Sequence, residues 1–343
     1  MPTYDPVESP DATTVFPYHD LTPPTLEDVY RARRVLSDRL PRTPLVRSDP
    51  LSEAFDADVY LKREDTLPTG AFKVRGGLNL VSSLEEAFRD SGLIAASTGN
   101  HGQSLAYAGA TFDVPVVIAV PEDANPSKVS AMERLGARVE HRGDDVDDAR
   151  EWAERQAATE GYRYVHSANE PDLVAGVATA GLEVVEDLPD VDYVFSPVGG
   201  GSGASGYCLT VGELTDAAVI GVQSERSPAA QRAWSEGHLD PHDRNETFAE
   251  GISTGVPFAL TVEFLRDRLE DFLLVSDDAI GREMGRMAAE EHLVAEGASA
   301  AAVVGARTMR EAIAGSTVVI PITGRNVDAE KLARVLEASR GAN

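Results

Sequence analysis

Residues 193–203 read YVFSPVGGGSG, an apolar run that passes directly into a glycine-rich turn. The apolar run predicts a buried strand, and the segment from Ala204 onward predicts a helix. Glycines let several backbone N–H groups face one anion, and the dipole of a following helix adds to the attraction. The turn lacks both the Lys-Ser/Thr ending of a nucleotide P-loop and the spacing of a dinucleotide fingerprint. We therefore expect either a phosphate site or a flexible structural turn after this strand.

The same order of strand and polar turn occurs twice more. Residues 97–103 (STGNHGQ) and residues 321–326 (PITGRN) each follow a predicted strand. Nine short apolar runs predict strands: Val59–Arg63, Leu93–Ser97, Pro115–Val120, Arg138–His141, Tyr164–His166, Tyr193–Pro197, Val219–Gln223, Phe272–Val275 and Thr317–Ile322. Amphipathic segments alternate with them, which predicts an α/β protein of parallel-rich sheets flanked by helices. Ligands of such proteins bind at the carboxyl ends of the strands.

The length of 343 residues exceeds that of a typical single-core domain and predicts two lobes. Residues 1–24 are rich in Pro, Asp and Thr without periodicity, so we expect an extended N-terminal arm. Thr25 precedes Leu26-Glu27-Asp28, an arrangement typical of a helix N-cap with acids in the first turn.

The charge of the chain is strongly acidic. Its 31 basic and 57 acidic residues give a net charge of -26, which makes nucleic acid an improbable partner. Only four basic residues are lysines: Lys62, Lys73, Lys128 and Lys331. Few lysines, many acids and abundant alanine indicate a halophilic protein, because a Debye length of roughly 3 Å at 1 M salt screens the repulsion between carboxylates.

The single cysteine, Cys208, cannot form an internal disulfide and lies in an apolar run that predicts a buried, inert thiol. The sequence contains neither a signal-peptide pattern nor an apolar stretch of roughly 18 residues. We therefore expect a reducing, cytoplasmic environment and no membrane association.

Lys73 lies in residues 68–77 (PTGAFKVRGG), between Phe72 and Val74. An amine between apolar neighbours can have its pKa lowered by desolvation, as Schiff-base chemistry requires and as arginine cannot offer. The alternative is a lysine on an amphipathic helix with its amine in solvent.

The chain resembles the pyridoxal-phosphate enzymes of fold type II in four segments that occur in the same order: GAFKVRGG, STGNHGQ, GGGSG and PITGRN. This resemblance implies a fold like that of the tryptophan synthase beta subunit. The branch that they resemble most contains threonine and serine dehydratases and serine racemase. The resemblance spans roughly residues 40 to 330 and includes residues 249–252 (AEGI) and 296–300 (EGASA). It implies a large cofactor-binding lobe of residues 25–91 and 169–343 and a small lobe of residues 92–168. Family members act on small amino acids, and we expect a homodimer or higher homo-oligomer.

The resemblance also implies a role for each matching residue. Lys73 would bind pyridoxal 5'-phosphate covalently and act as a catalytic base, and Phe72 would pack against the cofactor ring. Asn100 would bind the ring hydroxyl and Thr323 the ring nitrogen. The phosphate would lie on Gly199, Gly200, Gly201, Ser202 and Gly203. The substrate carboxylate would lie over Ser97, Thr98, Gly99, Asn100 and His101, where His101 is expected to be a structural loop residue and not a catalytic base.

The implied reaction is β-elimination. Lys73 would remove the Cα proton of L-threonine or L-serine, the Cβ hydroxyl would leave, and the released product would hydrolyse to a 2-oxo acid and ammonia. A threonine hydroxyl at the ring nitrogen does not hold a positively charged ring as a carboxylate does. Elimination is therefore expected to prevail over transamination.

Three positions depart from the dehydratase pattern. Thr98 replaces an alanine, at the position where serine racemases have the serine that acts as a second acid or base. Gln223 replaces a glutamate that helps to bind a divalent cation in several members. Arg325 replaces a small residue and could bind a second acid group of the substrate or a phosphate, although a surface or inter-lobe ion pair is the favoured interpretation.

Alternative functions follow from these departures: a threonine synthase-type transferase, a serine or other amino-acid racemase, and a threo-3-hydroxyaspartate dehydratase. A phosphate-binding protein without covalent chemistry is the alternative from another class. His238 and His242 have a metal-like spacing, but the residues between them predict an exposed turn and no metal site.

Overall fold

The computed structural model describes residues 21–242 and 245–340, so residues 1–20 of the predicted arm lie outside the described residues. The chain forms two compact units. The first contains the residues up to Leu40 and Lys73–Gly176, and the second contains Pro41–Phe72 and the residues from Val177 onward. The lobe boundaries inferred from the motifs stay a prediction.

In the described residues the strands are β1 (Leu45–Arg47), β2 (Asp58–Lys62), β3 (Leu93–Ala96), β4 (Val116–Val120), β5 (Arg138–His141), β6 (Arg163–Tyr164), β7 (Tyr193–Pro197), β8 (Ala218–Ser224), β9 (Asp271–Val275) and β10 (Thr317–Pro321). The α-helices are α1 (Leu26–Leu36), α2 (Asp49–Phe55), α3 (Lys73–Ser82), α4 (Glu86–Ser91), α5 (Asn100–Phe112), α6 (Pro126–Arg134), α7 (Val146–Glu160), α8 (Pro171–Asp187), α9 (Ser202–Leu214), α10 (Ala229–Glu236), α11 (Ala259–Arg266), α12 (Asp277–Glu290), α13 (Gly297–Thr308) and α14 (Ala329–Arg340). Two short 3-10 helices cover Glu64–Thr66 and Glu250–Ile252.

The first unit is built on a four-stranded parallel sheet in the order β5-β4-β3-β6. Its central strands are almost entirely buried because helices cover both faces, as is usual for parallel sheets. The predicted start of α1 is confirmed, since the Thr25 and Asp28 side chains each bond to the other's backbone in a capping box.

The second unit contains a six-stranded sheet in the order β1-β2-β10-β7-β8-β9. All neighbouring strands are parallel except β1 and β2, which are antiparallel. Helix α13 is buried along Gly297–Ala306, and its small side chains pack into the core against β7 and β8. The predicted α/β class with parallel-rich sheets flanked by helices is confirmed.

Eight of the nine predicted strands agree with the structure to within a residue at either end. The ninth, Tyr164–His166, differs because the observed strand ends at Tyr164. His166 turns the chain away from the sheet, since its Nδ1 accepts hydrogen bonds from the backbone of Ala168 and Asn169 at 3.0 and 2.9 Å. Strand β1 was not predicted, because its three residues are half-buried or exposed and show no apolar run.

All four lysines lie within the described residues, and none is exposed. Lys62 is fully buried, where its Nζ donates to the Glu183 carboxylate at 2.6 Å and to the Thr43 carbonyl at 2.8 Å. Lys73, Lys128 and Lys331 are half-buried. The predicted burial of Cys208 is confirmed, and burial raises the pKa of its thiol to about 12. Among the described helices, none is long and apolar enough to cross a membrane.

Candidate active site

Lys73 is the first residue of α3 in the first unit, and its amine is held inside the protein. Its Nζ donates to the Ser167 carbonyl at 2.9 Å, and its own carbonyl accepts from Ser104 Oγ at 2.6 Å. Burial lowers the pKa of Lys73 to about 8, so a larger fraction of this amine is uncharged at neutral pH than for an ordinary lysine. The alternative of an amine in solvent does not fit this arrangement.

The turn after β3 places residues 97–100 at the N-terminus of α5, and all four are half-buried. Ser97 Oγ orders the turn, because it accepts from the backbone N–H groups of Gly99 and Gly102 at 3.2 and 3.1 Å. Gly99 is the N-cap of α5 and makes no side-chain cap, and a Cβ placed on it would meet nothing within 4 Å. The turn therefore presents a helix N-terminus beside open space, which suits an anion such as a carboxylate.

Two buried histidines lie in the same unit as Lys73. His101 Nε2 is 3.2 Å from the Val165 carbonyl, which fixes the tautomer with the proton on Nε2. Burial, with a smaller effect of Lys73, lowers the pKa of His101 to about 3, and burial lowers the pKa of His166 to about 3 as well. Both rings are uncharged at neutral pH and have no proton of suitable acidity to donate to a substrate.

In the second unit, the turn after β7 brings the glycine run onto the start of α9. A Cβ on Gly199 would lie 2.4 Å from the Gly251 carbonyl oxygen, so only glycine fits there. Gly201 has a φ of +87° and is the N-cap of α9 without a side-chain cap. This helix N-terminus is thus open to a bound anion, as a phosphate site requires.

Thr323 follows β10 in the second unit and is 6% exposed. Its carbonyl accepts from the Phe72 N–H at 2.9 Å, and its Oγ1 is 3.1 Å from Ser299 Oγ. Phe72 also lies near the glycine run, since its ring is 3.3 Å from the position of a Cβ on Gly203. The second unit therefore brings together Phe72, the glycine run and Thr323, whereas Lys73 and residues 97–101 belong to the first unit.

Glu296 and Ser299 at the start of α13 touch Thr323, and sequence reasoning assigned neither of them a role. The resemblance includes residues 296–300 (EGASA), which contain both side chains, but it implies no role for either of them. The sequence feature that could have indicated a role is the carboxylate of Glu296, which is followed by small residues at the start of a buried helix.

The positions that depart from the dehydratase pattern, and the histidines with a metal-like spacing, lie in different environments. Gln223 is fully buried, and its Oε1 accepts from the Gln231 N–H at 3.1 Å. Arg325 is exposed, and no ion pair involves it in residues 21–242 and 245–340, so the favoured ion-pair interpretation stays a prediction. His238 is half exposed and lies within 3.1 Å of Glu236 and Asp240 carboxylates. The described residues contain no cluster of three or more metal-ligating side chains.

These features fit pyridoxal phosphate, which needs an amine with a lowered pKa, a phosphate cradle and an apolar ring contact. The family model for pyridoxal-phosphate dependent enzymes matches residues 36–324. The chain belongs to this family. It is accordingly a fold type II enzyme whose cofactor is pyridoxal 5'-phosphate.

Relatives of this pyridoxal-phosphate enzyme include L-threonine ammonia-lyase of Thermotoga maritima, 36% identical over 91% of this chain and 78% of the relative. L-threo-3-hydroxyaspartate ammonia-lyase of Saccharomyces cerevisiae is 31% identical over 91% of this chain and 96% of the relative. Among solved structures, threonine deaminase isoform 2 of Solanum lycopersicum has a TM-score of 0.86 and 27% identity, and the match covers 93% of this chain and 96% of that chain.

Proposed function

We propose that the protein is an ammonia-lyase that converts L-threonine or L-serine to a 2-oxo acid and ammonia. The observation that carries the proposal is the buried Lys73 amine with its pKa lowered to about 8, in a chain similar to a threonine ammonia-lyase over most of its length. An amine of this kind can bind an aldehyde cofactor and can also accept a proton near neutral pH.

The proposal gives each site residue a role toward the cofactor. Lys73 would bind it covalently, and Asn100 would contact its ring hydroxyl. Residues 199–203 would bind the phosphate, Phe72 would pack against the ring and Thr323 would contact the ring nitrogen. The open N-terminus of α9 supports the phosphate assignment.

When bound, pyridoxal phosphate withdraws electrons from the Cα of an amino acid attached to it. The turn of residues 97–101 binds the substrate carboxylate through its backbone donors. Lys73 Nζ would accept the Cα proton of the bound substrate. Because burial lowers the pKa of His101 and His166 to about 3, both imidazoles are weak bases, whereas Lys73 with a pKa of about 8 suits this transfer better at neutral pH.

A lysine substitution tests the proposal. Lys73→Ala should fold, lose the visible absorbance of the lysine-bound cofactor and release essentially no 2-oxo acid from threonine or serine. Lys128→Ala, at another half-buried lysine, is the matched control and should keep both signals. Normal turnover by Lys73→Ala would contradict the assignment of the catalytic lysine.

Thr98 is proposed as a second acid or base on the substrate face opposite Lys73. Its hydroxyl would return a proton to Cα and so produce racemisation beside elimination. Thr98→Ala should therefore abolish enantiomer formation and spare 2-oxo acid release, measured on the same sample. Parallel loss of both activities would place Thr98 in carboxylate binding instead.

The setting of the enzyme is also proposed. The excess of acids over bases and the absence of exposed lysines support a halophilic protein, and a single buried cysteine, Cys208, is consistent with the cytoplasm. A homo-oligomer is expected from the family resemblance, and sedimentation at working salt concentration tests it.

A further inference from the structure

Helix α11 lies directly against the glycine run that follows β7. A Cβ on Gly201 would lie 2.8 Å from Thr261 Cβ and 2.9 Å from Thr261 Oγ1. Thr261 is 1% exposed, and its neighbours Leu260 and Val262 on the helix are buried as well. A buried hydroxyl group therefore touches the backbone of the run that is assigned to the phosphate.

The Thr261 hydroxyl donates to the Gly200 carbonyl, and the direction of this hydrogen bond is fixed. The two oxygens are 2.7 Å apart, a usual length for an O–H···O hydrogen bond. A carbonyl oxygen can only accept, so the proton belongs to Thr261. The Phe258 carbonyl also lies near this hydroxyl, but its distance of 3.3 Å is beyond the usual range. The single hydroxyl proton is therefore directed at Gly200.

This hydrogen bond sets the orientation of the peptide group between Gly200 and Gly201. In a planar trans peptide, the C=O and the following N–H point in opposite directions. Since the Gly200 carbonyl faces α11, the Gly201 N–H faces away from α11. Gly201 is the N-cap of α9, and N–H groups at this end of a helix have no partner within the helix. The Gly201 N–H is therefore presented to an anion at the start of α9.

A run of glycines needs such support, because glycine has the widest range of backbone conformations and does not keep its N–H groups aligned by itself. On another side of the run, the Gly251 carbonyl oxygen lies 2.4 Å from the position of a Cβ on Gly199. Contact with Gly251 restricts Gly199 by packing, whereas Thr261 fixes Gly200 through a directional hydrogen bond.

We propose that Thr261 is a positioning residue for phosphate binding: its hydroxyl holds the peptide between Gly200 and Gly201 so that the Gly201 N–H faces the phosphate of the cofactor. The inference rests on the proposed role of residues 199–203 as the phosphate site. It adds to that site a side chain of α11, a helix that none of the sequence motifs includes.

The experiment compares the dissociation constants of pyridoxal phosphate and of pyridoxal, which has the same ring and aldehyde but no phosphate. Both are followed by visible absorbance at one pH and salt concentration. Thr261→Val keeps the shape of the side chain and removes the hydroxyl. It should weaken the binding of pyridoxal phosphate by roughly two- to tenfold and leave that of pyridoxal unchanged. Thr261→Ser keeps the hydroxyl and should restore the wild-type preference for the phosphorylated aldehyde. The ³¹P NMR signal of the bound cofactor should shift in Thr261→Val and return in Thr261→Ser.

Thr210→Val is the matched control. Thr210 is a fully buried threonine of α9 whose hydroxyl donates to the Gly206 carbonyl at 2.8 Å. Its replacement removes an equivalent hydrogen bond outside the glycine run, so it should lower stability and keep the wild-type preference between the two aldehydes.

An unchanged preference in Thr261→Val, an equal loss of affinity for both aldehydes, or a similar loss of preference in Thr210→Val would overturn the inference and leave the proposed function intact. A wild type that binds pyridoxal phosphate no more tightly than pyridoxal, or that releases no 2-oxo acid from threonine or serine, would instead contradict the proposed function. If Thr261→Val does not fold, Thr261→Cys decides the question, because a thiol is a weaker donor than a hydroxyl. A reduced preference in Thr261→Cys that is absent in Thr261→Ser supports the inference, and an unchanged preference overturns it.

Discussion

At the scale of single residues, the proposed attachment of the cofactor to the Lys73 amine should depend on pH. Only the uncharged amine attacks the aldehyde, and burial lowers its pKa from the ordinary 10.5 to about 8. The rate of cofactor attachment to apoenzyme should therefore rise with pH through a midpoint near 8, followed by visible absorbance after mixing. A midpoint near that of a free lysine would show that the amine is not buried in solution.

Arg325 is the second residue whose environment leads to a prediction. Its N–H donates to the Gly70 carbonyl at 3.0 Å, and its side chain lies along Gly70, two residues before Phe72. Since no ion pair involves Arg325 among the described residues, we propose that its guanidinium can bind a second carboxylate of the substrate. We expect Arg325→Gly to lower kcat/KM for threo-3-hydroxyaspartate by roughly ten- to a hundredfold and to spare threonine.

The control for this change is Arg310→Gly, at another exposed arginine for which the described chain offers no ion pair. Equal effects of Arg325→Gly on both substrates, or no effect on either, would mean that Arg325 does not select the substrate.

At the scale of secondary-structure elements, a buried ion pair joins β2 to the second half of α8. Lys62 and Glu183 are 2.6 Å apart, with side-chain exposures of 0% and 11%. Lys62→Met leaves the Glu183 carboxylate without its cation and should lower the free energy of unfolding by about 3 to 5 kcal/mol. Lys331→Met breaks a more exposed pair of the same 2.6 Å length and should cost about 0 to 1 kcal/mol.

Urea denaturation of both variants in the same salt measures the difference. Similar losses would indicate that the Lys62 pair is no more important to stability than a surface contact.

The elements themselves were largely predictable, because buried parallel strands are continuous apolar runs and the turns that follow them contain glycine. Strand β1 was missed since an edge strand of three residues leaves almost no pattern in the sequence. The contact between Glu296 and Thr323 was missed for a different reason: the two residues are 27 positions apart in the chain. Local patterns locate the turns that carry a site, but they do not reveal which side chains lie behind it.

At the scale of the whole molecule, the net charge of -26 makes stability depend on salt. Carboxylates in dilute buffer repel one another over long distances, and molar salt shortens that range to roughly 3 Å. The melting temperature should therefore be higher in molar salt than in dilute buffer, as followed by circular dichroism. Equal melting temperatures in the two buffers would contradict the halophilic assignment.

The absence of an exposed side chain at any of the four lysines has a chemical consequence for a protein that must react with an aldehyde. Pyridoxal phosphate condenses with any accessible primary amine, and guanidinium groups do not compete because they stay protonated. Because the positive charge of the surface is carried by arginine, the free aldehyde meets few competing amines. Lys73, with its lowered pKa, is therefore expected to be the amine with which the aldehyde condenses most readily. Because exposed lysines are lacking, Lys73 of the apoenzyme should also be the preferred labelling site for probes that carry an aldehyde, with little random labelling of the protein surface.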